Sequence, residues 1–136
     1  MYLFFMNLTF SLKIRHHNTY ITIITFMTET TTGRVYKIIH NQSNICYVGS
    51  TFNEIRYRWR DHKQDYKKWL KGNHDNISIY SYFKTHGIEN FKMALIKEYE
   101  VVDRRHLEVY ETLWIAKLRS CNKNMEPVIL IWKPEK

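Results

Sequence analysis

From Ile55 the apolar side chains recur at Ile55, Trp59, Tyr66 and Trp69/Leu70, and His62 fills the remaining slot. That 4-3-4-3 spacing is a helix stripe. Gly72 ends it, and Asn53 stands where an N-cap belongs, with Glu54 in the first turn. A second helix is expected from about Asn76 to His86, with Ile79, Tyr80 and Phe83 inward and Gly87 as its stop. A last helix, capped by Asp103, carries an inward stripe of Leu107, Tyr110, Trp114, Ile115 and Leu118. Val35 to Ile39 and Ile45 to Ser50 are short β-type runs, and the polar stretch His40 to Asn44 between them predicts a β-hairpin. Phe91 to Tyr99 alternates as a third strand, with Phe91, Met93 and Leu95 on one side and Ala94 and Ile96 on the other. Val128 to Trp132, beyond Pro127, is a candidate short edge strand. The order ββααβα predicts an α+β domain: a small, mostly antiparallel sheet flanked by helices.

Residues 1–32 read as an N-terminal extension, 33–127 as the domain and 128–136 as a short tail. In the extension Tyr20 to Phe26 has strand composition, and Met27 is an alternative start ahead of the polar run Thr28 to Thr32. The apolar stretch Tyr2 to Met6 has no basic segment before it and is far too short to span a bilayer, so neither a signal peptide nor a membrane span is expected. The chain has 136 residues, enough for one ordinary core and too few for two domains. Its net charge of +8 changes the picture by favouring a polyanionic partner, nucleic acid first and an acidic membrane surface second. The two cysteines, Cys46 and Cys121, have neither CxxC spacing nor a histidine cluster. They read as buried free thiols in a reducing, intracellular compartment rather than zinc ligands, with a single disulfide as the alternative.

Glu111 lies four residues after Leu107 and three before Trp114, so it shares their apolar face. An unpaired carboxylate there costs several kcal/mol, and an Arg, a raised pKa or a metal ion must offset it. The plain alternative is a carboxylate at the edge of the stripe; Glu108 falls on the surface by the same wheel. Arg58 and His62 are four apart on one helix and meet each other. Arg56, Arg60, Lys63 and Lys67 lie on its other faces, a solvated basic surface able to track phosphates. Tyr36 and Tyr47 flank the hairpin, and each alone is compatible with a core aromatic. Gly49 permits close approach of backbone or ligand, and Cys46 alternates with Tyr47 onto the opposite side of the sheet.

Taken in order, these residues resemble the GIY-YIG nuclease domain from Gly33 to Pro127. The first motif reads Arg34-Val35-Tyr36, with arginine at the glycine position; the second reads Tyr47-Val48-Gly49 followed by Ser50-Thr51. Arg58 to His62, the turn His86 to Phe91, Glu111 to Ile115 and the closing Asn122-Lys123 complete the pattern. The resemblance implies a central three-stranded antiparallel sheet and metal-dependent hydrolysis of DNA phosphodiester bonds. It implies Glu111 as ligand of Mg²⁺ or Mn²⁺, and Arg58 as stabiliser of charge on the transferring phosphoryl group. A tyrosine would be general base, Tyr36 supported by Tyr47 or the reverse, with His62 as relay and Asn122 orienting a water, a phosphate oxygen or a hydroxyl. The alternative is a nucleic-acid-binding module that kept the fold without cleavage. Specificity is expected to be low, or set by DNA structure or a partner protein. The abundance of Ile, Lys, Asn and Tyr points to an AT-rich genome such as a large DNA virus or mobile element, and hence to host cytoplasm or nucleus.

Overall fold

Period-two alternation along two neighbouring strands sorts the side chains of this domain onto two sheet faces. The computed structural model describes residues 10–16, 19–25, 29–121 and 129–130, with side chains over 29–118. Its elements are β1 (Phe10–His16), β2 (Thr19–Thr25), β3 (Thr31–His40), β4 (Ile45–Thr51), α1 (Ile55–Leu70), α2 (Ile79–His86), β5 (Phe91–Val101), α3 (Arg104–Cys121) and β6 (Ile129–Leu130). A single 3-10 turn, Ile88–Asn90, joins α2 to β5. The central sheet has the order β5-β3-β4-β6. The first three strands are antiparallel, and two-residue β6 pairs in parallel with Ile45 and Cys46 on β4. This is the expected α+β architecture, and the expected edge strand is described at Ile129–Leu130. The strand expected within Tyr20 to Phe26 is β2, antiparallel to β1 in a separate two-stranded sheet.

On one face, Tyr36 and Ile38 of β3 and Ile45 and Tyr47 of β4 pack with Tyr66 of α1 and Ile79, Tyr80 and Phe83 of α2. On the other, Val35, Cys46 and Val48 pack with Val101 and with Leu107 of α3. Cys46 is buried on the face opposite Tyr47, as the alternation required. The predicted alternation of β5 breaks in its middle. Tyr36 pairs with Leu95 but Val35 with Lys97, so Ile96 is an extra residue, a β-bulge. The odd-numbered residues therefore serve the α1/α2 face before the bulge, as Phe91 and Met93 do. After it they serve the α3 face, as Tyr99 and Val101 do.

Helix boundaries follow their caps. Asp103 Oδ1 accepts the backbone N–H of His106 at 2.8 Å, an N-cap bond at the start of α3. Asn53 is not the cap of α1. Its own N–H donates to Thr51 Oγ1 at 3.0 Å, and the cap position falls on extended Glu54, which makes no side-chain cap bond. The Thr51 hydroxyl organises this turn, leaving Asn53 one residue too early. α2 begins at Ile79 rather than near Asn76, and it stops at Gly87, whose φ of 80° is open to glycine. Among the described residues no helix is long and apolar enough to cross a membrane. Met27, the expected alternative start, and Pro127, the expected end of the domain, lie outside the described residues.

Candidate active site

Tyr36 reaches the α1/α2 face from the middle of β3, and His62 reaches the same space from the buried stripe of α1. The Tyr36 hydroxyl and His62 Nε2 share a hydrogen bond of 2.8 Å, and Arg58 Nε donates to the same hydroxyl at 3.3 Å. His62 is fully buried, Tyr36 nearly so, and Arg58 half-buried. One phenolic oxygen is thus held between an imidazole and a permanent cation, because residues one helical turn apart on α1 point at the same strand. Gly49, opposite Tyr36 on β4, makes this possible: a Cβ there would stand 2.6 Å from the Tyr36 hydroxyl oxygen. Any side chain would push the phenol away from His62.

Tyr47 lies on the same face, edge-on to the His62 ring at 6.1 Å. Its pKa is pushed well above the ordinary tyrosine value, first by burial and then by the negative charge of Glu111; Arg58 opposes this. Tyr47 is therefore held in its neutral, protonated form. The Arg58 guanidinium is shifted upward: burial works against its charge, and Tyr36, Tyr47 and Tyr80 together more than compensate.

Glu111 comes from α3, on the other side of the sheet, and is 6% exposed. The sequence called for something to offset its burial, and the first such group is the Ser50 hydroxyl, which donates to Glu111 Oε2. Because β4 ends here, its last residues bring the two faces together. Tyr47 and Gly49 look toward α1, while Ser50 looks toward α3. Arg104, two turns before Glu111 on α3, donates from Nη1 to the Ser50 carbonyl at 3.2 Å and lies close enough to act on Tyr47. Sequence reading missed Ser50 and Arg104. Alternation from Tyr47 would have placed Ser50 toward α3, and a seven-residue step back from Glu111 would have found Arg104. Glu108 is exposed and bonds Arg104 at 3.1 Å, as expected of a surface residue.

Arg34, at the glycine position of the first motif, is held by Glu98 at 2.7 Å and donates to the Phe52 carbonyl at 3.0 Å. It ties β5 to the turn between β4 and α1 without displacing Tyr36. Arg56, Arg60, Lys63 and Lys67 are all exposed. At about 100° per residue they centre roughly 150° round α1 from Arg58 and His62, so the structure does not bring them into the Tyr36 cluster. Both Arg56 and Arg60 lie over the Tyr57 ring, at 4.6 and 5.1 Å. Asn122 lies outside the described residues.

Comparison with known proteins agrees with this arrangement. Residues 32–125 match the family model of the GIY-YIG catalytic domain. MSV199 domain-containing protein 146R of Invertebrate iridescent virus 6 is 32% identical over 69% of this chain and 39% of its own length. Uncharacterized protein 019R of the same virus is 29% identical over 66% of this chain and 30% of its own. The chain thus spans well under half the length of these relatives. Among solved structures, the catalytic domain of homing endonuclease I-TevI superposes with a TM-score of 0.53 at 25% identity, covering 74% of this chain and 99% of that one. With the motif tyrosines, the Arg58/His62 pair and Glu111 gathered where β4 ends, the match over most of the chain places it in the GIY-YIG nuclease family.

Proposed function

We propose that this chain is a metal-dependent endonuclease that hydrolyses DNA phosphodiester bonds. The observation that carries the reading is the Tyr36 hydroxyl held between His62 Nε2 and Arg58 Nε. In that arrangement Tyr36 accepts a proton from the attacking water while its own proton passes to His62. Arg58 stays protonated and stabilises the negative charge that grows on the phosphoryl oxygens as the new P–O bond forms and the old one breaks. Tyr47, held protonated, supports this by donating to the water or to a phosphate oxygen. Asn122 orients one of the same groups.

The donor set suits Mg²⁺ or Mn²⁺. Glu111 is a hard oxygen ligand held in place by Ser50, and no group of three His, Cys, Asp or Glu forms a cage among the described residues. An ion held by one carboxylate and otherwise by water and substrate phosphate is the habit of Mg²⁺. When bound, the ion supplies positive charge to the phosphate and the departing oxygen. The exposed residues Arg56, Arg60, Lys63 and Lys67 hold flanking DNA by its phosphates. Residues 33–127 are the nuclease domain, 1–32 an extension with Met27 as an alternative start, and 128–136 a tail. The protein acts inside the cell, in host cytoplasm or nucleus, with low sequence specificity or specificity lent by DNA structure or a partner.

Nicking of supercoiled plasmid with Mg²⁺ or Mn²⁺ tests the reading, with EDTA and Glu111→Ala as controls. Cleavage abolished by both is expected. Activity that survives Glu111→Ala would falsify the ligand assignment. Failure to cut supercoiled, branched and single-stranded DNA alike, with binding retained, would leave a nucleic-acid-binding module.

A further inference from the structure

An exposed aromatic ring stands between the two polar faces of α1. Arg58 and His62 mark the face turned to Tyr36, and Arg56, Arg60, Lys63 and Lys67 mark the exposed basic face. At about 100° per residue, Tyr57 falls on one flank of the helix, between Arg58 and Arg60. The opposite flank is packed: Trp59 and Tyr66 meet Phe83 of α2 there. Tyr57 is 41% exposed and belongs to neither core cluster. The Arg56 and Arg60 guanidiniums lie over its ring at 4.6 and 5.1 Å, so ring and cations form one surface. The carboxylates on this flank are offset, Glu54 by Arg56 at 2.8 Å and Asp61 by Arg60 at 3.8 Å. A second exposed ring, Phe52, lies two residues after Ser50 on the turn into α1, where small polar residues are usual. That turn is fastened by the Thr51 hydroxyl and by Arg34, which uses the Phe52 carbonyl and not its ring. Neither ring fills a core.

A strand with its reacting phosphate at Arg58 and its flanking phosphates on the basic face must pass Tyr57, because the other way round α1 is filled by α2. A duplex, stiff over about 150 base pairs, does not follow a turn round a rod about 10–12 Å across. An unpaired strand does, and its bases are free to stack on aromatic rings and guanidinium planes. We propose that Tyr57, with Arg56 and Arg60, is a stacking platform for an unpaired base, with Phe52 as a second ring. The substrate class is then DNA that holds unpaired nucleotides beside the cut. Neighbouring Cα atoms are about 3.8 Å apart and successive nucleotides about 3.4 Å, so the stacked base lies about one or two nucleotides from the phosphate at Arg58. The inference rests on the nuclease reading of that site and names the DNA structure it selects.

The test measures binding of the full chain, in EDTA so that nothing is cut, to a duplex with a short unpaired bubble. The bubble carries 2-aminopurine, a base whose fluorescence falls when it stacks, and the fully paired duplex of the same sequence is the control. The wild-type chain should bind the bubble about tenfold or more tightly than the control and quench the probe. Tyr57→Leu should lose about fivefold or more of the bubble affinity and most of the quenching, with Tm and affinity for the control near wild type. Phe52→Leu should act in the same direction, less strongly, and Tyr57→Phe, which keeps the ring, should behave as wild type. Equal wild-type affinity for the two DNAs overturns the inference, as does an equal loss on both in Tyr57→Leu. Indifference of both DNAs to the ring variants leaves the rings to a protein partner and overturns it as well. Quenching by a wild-type chain that cuts no DNA with either metal supports the platform and sinks the nuclease reading. Cleavage of paired and bubbled DNA alike, without quenching, sinks this inference alone.

Discussion

The two faces of the central sheet are built from the same strands and hold different chemistry. Toward α3 the filling is Val35, Cys46, Val48, Val101 and Leu107, apolar and close-packed, and the carboxylate of Glu111 appears only where β4 ends. Toward α1 and α2 the buried groups include Tyr36, Tyr47, Tyr66, Tyr80 and His62, a core rich in hydroxyls and rings. The apolar face fixes where α3 lies and so where Glu111 stands. The aromatic face gives up some of its stability to hold hydroxyls that titrate or donate. What the difference teaches is a division of labour: one face anchors the fold and holds a single carboxylate, and the other buries the hydroxyls to which the proposed mechanism assigns the proton chemistry.

The comparison breaks first at Tyr36. On the aromatic face, Tyr36→Phe should reduce cleavage about 10²-fold or more while leaving the chain folded, since only a hydroxyl is removed. Single-turnover cleavage alongside a thermal melt measures both. Tyr47→Phe should cost less, and a larger loss there than at Tyr36 would reverse the assignment of the base. The mirror experiment on the anchoring face is Leu107→Ala. Leu107 is fully buried against Gly33, and the variant should lose about 2–5 kcal/mol of stability by urea titration. Cleavage per folded molecule should stay near wild type, and a large fall in that ratio would show that the faces are not separable.

Alkaline unfolding sharpens the contrast. Tyr47 and Tyr80 have raised pKa values in the folded chain, from burial first and then from Glu111 and Asp65 respectively. Their neutral forms are favoured in the fold, so the stability they contribute is fully present below the ordinary tyrosine pKa near ~10 and is lost as pH climbs above it. Each should contribute a slope of about −1.4 kcal/mol per pH unit there, and Tyr47→Phe should remove one such share. An unchanged slope would mean that Tyr47 ionises freely when folded. The smallest effects belong to the outer surface of α1. Alanine at Arg56, Arg60, Lys63 or Lys67 should each weaken DNA affinity several-fold and lower the salt slope by about 1, with kcat untouched. Affinity indifferent to salt would remove this surface from the interface.

Much of the fold was legible because its signals are local. Stripes of period 3.6 marked α1 and α3, alternation marked β3 and β4, and Asp103 and Gly87 marked helix ends. The polar loop after His40 is fastened as its composition suggested, with Ser43 Oγ 2.8 Å from His40 Nδ1. Where reading failed, a non-local contact decided. Asn53 lost the cap to a turn arranged by Thr51. The β5 alternation was interrupted by a bulge, which exists only in the pairing of that strand with β3. The candidate site divides in the same way: Arg58 and His62 are neighbours on one helix and were visible as a pair, whereas Ser50 and Arg104 gained meaning only from what they face.

By itself the sequence determined which residues could carry chemistry and on which element each would lie, because periodicity and capping act over a few residues. Tertiary structure alone decided who meets whom. Tyr36 meets His62 across 26 residues, and Ser50 meets Glu111 across 61. Those contacts exist because burying two apolar faces of one sheet brings α1 and α3 to the end of β4, and no short-range pattern encodes that encounter.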